Sequence, residues 1–355
     1  MKFFRNIYIA LVVLISSLAI FGLSLYQYYF SGTSNNSTLN TIVIEPGSID
    51  KIATTLVDEG YIRNKTIFIA YVKITGKNNL KAGTYSLSKD MNLIEIIDIL
   101  SKGGTCTELI KITFKEGLNM HKIAKLIAEN TNNTEDMVFD LLKDTNYLNE
   151  LIDKYWFLSK EILNEDIYYS LEGYLFPSTY YFCTKDVTIE TIFEVMLDEM
   201  EKQLTNYKDE INNNKNSFHE LLTLASIVEL EGVTIEDRKG IAQVLYSRLD
   251  KNMSLGCDVT TYYGAKVNMG DRDLYQSELN ECNGYNTRCS TFKGLPISPI
   301  SNPSIDSIIA SLEPSNSNYL YFLADKNRKI YFSKTYAEHN NMIAKLKKQG
   351  LWFEY

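Results

Sequence analysis

The chain has 355 residues, 45% of them apolar and 23% charged, with a formal net charge of −8. This length allows two or three domains, and the composition is that of a folded globular protein. The acidic balance excludes a general nucleic-acid binder, because no surplus of Lys and Arg is available to displace counterions from phosphate. The 25 tyrosines suit cores and strands as well as sugar-stacking surfaces.

In chain order, "MKFFRN" places Lys2 and Arg5 ahead of an uncharged run from Ile7 to Phe30. As a helix this run would reach about 35 Å, against about 30 Å of bilayer hydrocarbon. Its end, "LYQYYF", matches an interfacial aromatic belt. The positive-inside rule then predicts a cytoplasmic tail over 1–6, a transmembrane helix over 7–30 and an extracytoplasmic body: a single-pass protein of the cell membrane. A cleaved signal peptide fits poorly, since the run is long and no A-x-A site follows it. Residues 31–40, "SGTSNNSTLN", read as a linker.

Two related units follow, "TIVIEPGSIDKIATTLVDEGYI" and "LIKITFKEGLNMHKIAKLIAEN". Each is a β-branched strand, a turn ending in Gly47 or Gly117, and an amphipathic helix. Between them "LKAGTYSLSKDMNLIEIIDILSKGG" predicts a strand, a helix capped near Asn92 and a stop at Gly103 and Gly104. In "IEPGSIDKIATTL" and "LKAGTYSL" the region 41–104 resembles a LysM-like βααβ module. That resemblance implies contact with peptidoglycan glycan strands; a simple spacer role also fits.

Beyond residue 105 the sequence predicts a larger mixed domain, so the fold class is α+β. "TEDMVFDLLKD" and "TIETIFEVMLDEMEKQL" read as helices and "NYKDEINNNKNS" as a polar loop. "SFHE", residues 217–220, is a capping box that starts a helix, and "IEDRKGIAQVLYSRLDK" forms the next one. The last third reads as strand and loop, with "YLYFLAD" and "KIYFSKT" pairing as a hairpin turned at "KNR". The five cysteines show no C-x-x-C pair, so no metal is expected; Cys282 and Cys289 flank a short loop and suit a disulfide, although free buried thiols fit equally. No phosphate loop or G-x-S-x-G elbow is present, and no cofactor is expected.

The apolar helix "LLTLASIVELEGVT" ends on Glu229 and Glu231. At 100° per residue the two diverge by about 160°. Both fall in an apolar arc, where desolvation would keep a carboxyl protonated as a general acid requires. A solvated helix end, or bridges to Arg238 or Arg248, would explain them as well, and periodicity does not choose between the two.

Six ordered motifs carry further information: "EGYLFPSTYYF", "ASIVELE", "VLYSRLDKNMSLGCDVTTYYG", "YNT", "LPISPISNPSIDSIIASLEPSNSNYLYFLAD" and "FSKTYAEHN". Together they resemble the YceG-like (MltG) family of endolytic murein transglycosylases over nearly the whole chain. The resemblance implies that residues 105–355 form a catalytic domain and that Glu229, the first acid of the motif, is catalytic; Glu231, the second acid, is read as a supporting residue and a candidate for binding substrate. It implies no cofactor. The reaction implied is cleavage of the β-1,4 bond between N-acetylmuramic acid and N-acetylglucosamine without water. One carboxyl protonates the leaving oxygen and then deprotonates the 6-hydroxyl, leaving a 1,6-anhydro end. Glu172, Tyr174, Tyr180, Asp258, Thr260, Tyr263 and Asn286 lie in matching motifs and are candidates to line the glycan cleft, with packing or turn formation as the plainer role for each. His339 is the one histidine in a family motif, and packing suits it better than catalysis. The implied partners are peptidoglycan glycan strands, the cell membrane and cell-wall synthases such as penicillin-binding proteins. The sequence departs from the family in "DVTTYYG" and "LPISPI". Two other readings are a non-catalytic peptidoglycan-binding scaffold, and a pyridoxal-phosphate lyase, which would need a Schiff-base lysine and a cytoplasmic cofactor supply.

Overall fold

The computed structural model describes residues 16–17, 19–103 and 110–352. They form a mixed α+β protein whose strands pair two by two in three small sheets. The chain divides into two units, Met1–Lys111 with Tyr181–Lys185, and Ile112–Tyr180 with Asp186–Tyr355.

The first unit contains β1 (Asn40–Ile44), α1 (Ile49–Asp58), α2 (Lys65–Thr75), β2 (Gly83–Leu87) and α3 (Leu93–Lys102). The βααβ order is therefore present, with β1 and β2 antiparallel and Ile42 opposite Tyr85. Alternation along the strands turns Ile42, Ile44, Tyr85 and Leu87 inward onto Leu56, Phe68, Val72, Ile96 and Ile97. Asn92 caps α3 in a reciprocal box with Glu95, and Gly103 ends it, as the sequence predicts.

The expected transmembrane helix over 7–30 is corrected here, and with it the single-pass cell-membrane location. Among the described residues no helix is long and apolar enough to cross a membrane. Residues 1–15 and 18 lie outside the described part. The described helical stretch 19–30 would span only about 18 Å. Its aromatic end has a different use from an interfacial belt. Phe30 packs on the core of the first unit and edge-on to Tyr71, while Arg63 donates to the carbonyls of Tyr28 and Ser31.

The chain enters the second unit along β3 (Ile110–Thr113), which pairs with β4 (Thr179–Phe182). Between these strands lie α4 (Met120–Asn130), α5 (Glu135–Leu141) and α6 (Thr145–Lys154); α7 (Ile189–Leu204) follows β4. The stretch read as a polar loop contains a short helix, α8 (Lys208–Asn212), which buries Ile211. Then come α9 (Phe218–Glu231) and α10 (Ile235–Asp250). The capping box at Ser217 and Glu220 is present at the start of α9. The last third holds more helix than its sequence suggests: α11 (Asp258–Gly264), α12 (Gln276–Asn280), α13 (Ile305–Leu312) and α14 (Tyr336–Lys348). The hairpin of β5 (Tyr321–Ala324) and β6 (Ile330–Ser333) pairs as expected. Cys282 and Cys289 are disulfide-bonded, Cys183 is also in a disulfide, and Cys257 is a buried free thiol.

Helix α9 is buried on all sides from Leu221 to Val228. Leu224, Ile227 and Val228 pack with Ile241 and Leu245 of α10, Val259 of α11, Ile300 and Ala310. A helix enclosed in this way has its last turn fixed by its neighbours, and that turn carries both acids.

Gly240 of α10 shows how tightly this layer is packed, since a Cβ there would lie 2.4 Å from Phe332 Cζ. Gly240→Ala would gain about 1 kcal/mol of helix propensity and lose about 1–3 kcal/mol to overpacking. The Phe332 ring is stacked on Tyr319 and so resists moving. We expect a lower melting temperature for the variant; one at or above the wild type would show that the ring yields freely.

Candidate active site

The last turn of α9 points its two acids to opposite sides. The Glu229 side chain is only 6% exposed and meets Arg238 of α10, whose Nη2 donates to Oε1 at 2.8 Å. Oε2 accepts from the Ser304 backbone N–H at 2.9 Å, the Ser304 hydroxyl at 2.5 Å and the Ser307 hydroxyl at 2.8 Å. Ser304 is the N-cap of α13, so the carboxyl sits where a helix N-terminus presents unpaired donors and positive potential. Every hydrogen-bond partner of Glu229 donates to it, which fixes the orientation of the carboxyl. The guanidinium has one donor to spare, because Arg238 Nε is buried without an acceptor.

Glu231 is the opposite case. Among the described residues no hydrogen bond reaches its carboxyl. Burial raises its pKa to about 7, the charge of Asp258 adds to the rise, and Arg288 offsets part of it. Asp258 and Arg288 form their own ion pair. Glu229 and Glu231 therefore lie in separate surroundings, as their spacing on the helix requires.

A third carboxyl organises the loops around Glu229. Glu172 is 1% exposed. Its Oε2 accepts from the Met120 N–H at 2.9 Å and the Tyr263 hydroxyl at 3.0 Å, and its Oε1 from Asn302 Nδ2 at 3.0 Å. Asn302 also donates to the Leu118 carbonyl and accepts from the Leu175 N–H. Its own carbonyl accepts from the Gly117 N–H. Gly117 needs its missing side chain, since at φ +74° a Cβ would press on Leu230 Cδ2 at 3.1 Å and reach 3.7 Å from Glu229 Cγ. Asn302 thus fixes the loop before α4 and, two residues on, Ser304 against Glu229.

Of the residues singled out by sequence, Glu172 and Tyr263 come together and Asp258 approaches Glu231. The others serve the packing. Tyr174 is fully buried and hydrogen-bonded to His219 Nδ1 at 2.8 Å. Tyr180 donates to the Phe176 carbonyl. Thr260 bonds the Cys257 carbonyl and Thr287. Asn286 accepts from Thr261 and donates to the carbonyls of Leu279 and Glu281. His339 packs beside the rings of Tyr321 and Tyr336. Sequence periodicity does not reveal Ser304, Ser307 or Asn302. The available signal is the Ser–x–x–Ser opening of α13, readable as a cap but not as a partner of Glu229.

The Glu172 carboxyl is pushed by burial from an ordinary 4.5 to about 8, although the N–H and O–H donors around it pull the other way. Its folded pKa lies above its unfolded one. Its contribution to stability is therefore full below about pH 4.5 and is lost as the pH rises toward about 8. Glu172→Gln removes this titration, so the melting temperature of the variant relative to the wild type should climb from about pH 5 to about pH 8. A constant difference across that window would show that Glu172 does not titrate there.

Residues 42–345 match the YceG-like family model. The chain is 37% identical over 307 residues to a Bacillus subtilis protein named endolytic murein transglycosylase, covering 86% of this chain and 84% of that one. It is 31% identical to a protein of the same name from Streptococcus pneumoniae, covering 97% of this chain and 65% of the longer relative. A crystal structure of a yceG-like protein from Listeria monocytogenes superposes with a TM-score of 0.61 at 37% identity, covering 86% of this chain and 99% of that one. The family match over residues 42–345 and the 37% identity to the Bacillus subtilis relative place the chain in the YceG-like family.

Proposed function

We propose that this protein is a lytic transglycosylase that cuts peptidoglycan strands internally, between N-acetylmuramic acid and N-acetylglucosamine, with Glu229 as its acid–base group. The observation that carries this reading is the immobilised carboxyl of Glu229, in a chain whose relatives bear the name endolytic murein transglycosylase. Oε2 takes three donors and Oε1 takes one. A carboxylate offers roughly four lone-pair sites, so the open position is on Oε1, and the transferable proton resides there.

That proton passes to the glycosidic oxygen as the C1–O bond breaks, assisted by the substrate's own 2-acetamido group. The 6-hydroxyl of the muramic acid then forms the new bond to C1 and returns its proton to Oε1. The product is a 1,6-anhydro end, and no water is consumed. Between the two transfers Arg238, Ser304 and Ser307 support the negative charge. One carboxyl is enough, unlike the pair a glycoside hydrolase uses. Acting on growing strands, such a cut would set glycan length, and we assign the βααβ module of residues 41–104 the task of holding glycan.

A second reading makes Glu231 the acid. It is favoured by the carboxyl's lack of partners and by a pKa of about 7, suited to proton donation near neutrality. Digestion of purified glycan strands separates the two. We expect the wild type and Glu231→Gln to release 1,6-anhydro ends and Glu229→Gln to lose about 100-fold or more. Loss in Glu231→Gln alone would transfer the role, and the wild-type rate would then fall above about pH 7 as that acid ionises. No release by the wild type would favour a non-catalytic peptidoglycan-binding scaffold.

A further inference from the structure

The second unit holds a concavity of about 270 Å³ that the chemistry at Glu229 does not use. Its aromatic wall is Tyr168, Tyr169 and Tyr263, and its rim carries His121, Lys122 and Lys266. Tyr169 is hydrogen-bonded to His121 Nε2 at 2.6 Å, and the Lys266 ammonium lies 4.2 Å from the centre of the Tyr168 ring. Two pairs of lining groups are therefore already in contact with each other. Burial lowers the His121 pKa, the charge of Glu135 opposes the fall, and Lys266 adds to it.

The local charge runs against that of the chain. Lys122, Lys125 and Lys266 face the concavity against one acid, Glu135, in a protein of net charge −8. Lys125 has a partner, Glu129 at 3.9 Å. Among the described residues Lys122 has none. An aromatic wall beside the unpaired Lys122 ammonium and the ammonium of Lys266 suits an amphiphilic anion, with a flat apolar face and a carboxylate.

The concavity also begins close to the proposed acid. Gly117 abuts Glu229, and Asn119 already lines the concavity. Two residues of chain span at most about 7 Å.

We propose that this pocket receives a peptide-bearing muramyl residue of the strand, with the sugar against the tyrosines and a stem-peptide carboxylate toward Lys122 and Lys266. The proposal rests on the reading of the protein as a peptidoglycan-cutting enzyme. It makes the protein select strands that still carry their peptides.

The test is calorimetry on the full chain with N-acetylmuramyl-L-alanyl-D-isoglutamine, which carries a carboxylate and no bond the enzyme can cut. Uncharged N,N′-diacetylchitobiose is the comparison. The muramyl peptide should bind about tenfold tighter or more, and raising salt from about 0.05 to about 0.5 M should erase most of the preference. The double variant Lys122→Glu/Lys266→Glu should lose it while melting like the wild type; should that variant misfold, the salt series on the wild type decides. Equal affinity for the two ligands, or a preference that neither salt nor charge reversal alters, overturns the pocket assignment. Cleavage at Glu229 would still stand in that case, because it is scored separately by 1,6-anhydro ends.

Discussion

The buried amide of Asn302 holds the candidate site together. The residue is 1% exposed, and its side chain reaches the Leu118 carbonyl, the Leu175 N–H and the Glu172 carboxyl at once. These are three separate segments of the second unit, and without the amide the Leu175 N–H would lose the acceptor it uses here. Such a loss costs about 1–3 kcal/mol per group. Pro303 follows directly and Ser304 comes next, so the hydroxyl and N–H that grip Glu229 inherit their position from Asn302. The chemistry proposed for one carboxyl thus depends on a fully satisfied polar network a few ångströms away.

The end of α9 shows how one short motif produces two different acids. Glu229 and Glu231 share a helix turn and the same apolar neighbours in sequence. Divergence around the helix gives the first a guanidinium and a helix N-terminus, and the second a desolvated position beside another carboxylate. Glu229 accepts four hydrogen bonds, while burial and the charge of Asp258 raise the pKa of Glu231. A carboxyl that must both give and take a proton needs to be held in one orientation, and only Glu229 is so held. Glu172 is a third outcome, a buried carboxyl raised to about 8 that serves as a joint between loops.

Where the structure departs from expectation, the cause is context that a local reading does not contain. The uncharged N-terminal run satisfies a hydropathy criterion for crossing a bilayer, yet Phe30 at its end is used by the core of the first unit. Hydropathy records that a side chain avoids water and is silent on what replaces the water. The stretch 206–217 is polar enough to read as a loop, and the burial of one residue, Ile211, accompanies a helical turn there. In the last third, α11 and α13 are too short for periodicity to register; packing on α9 and α10 stabilises them.

By itself the sequence determined the elements whose signals are local: the βααβ order, the caps at Asn92 and Ser217, the β5–β6 hairpin, and the motifs by which the chain resembles its family. These depend on periodicity, capping and turn chemistry within a few residues. Only the tertiary structure decided what each carboxyl meets. Ser304 and Ser307 lie some 75 residues from Glu229 and Asn302 lies 130 from Glu172, and such pairings leave no period in the sequence. They arise because a buried polar group must find a partner wherever the packing of the helices happens to bring one.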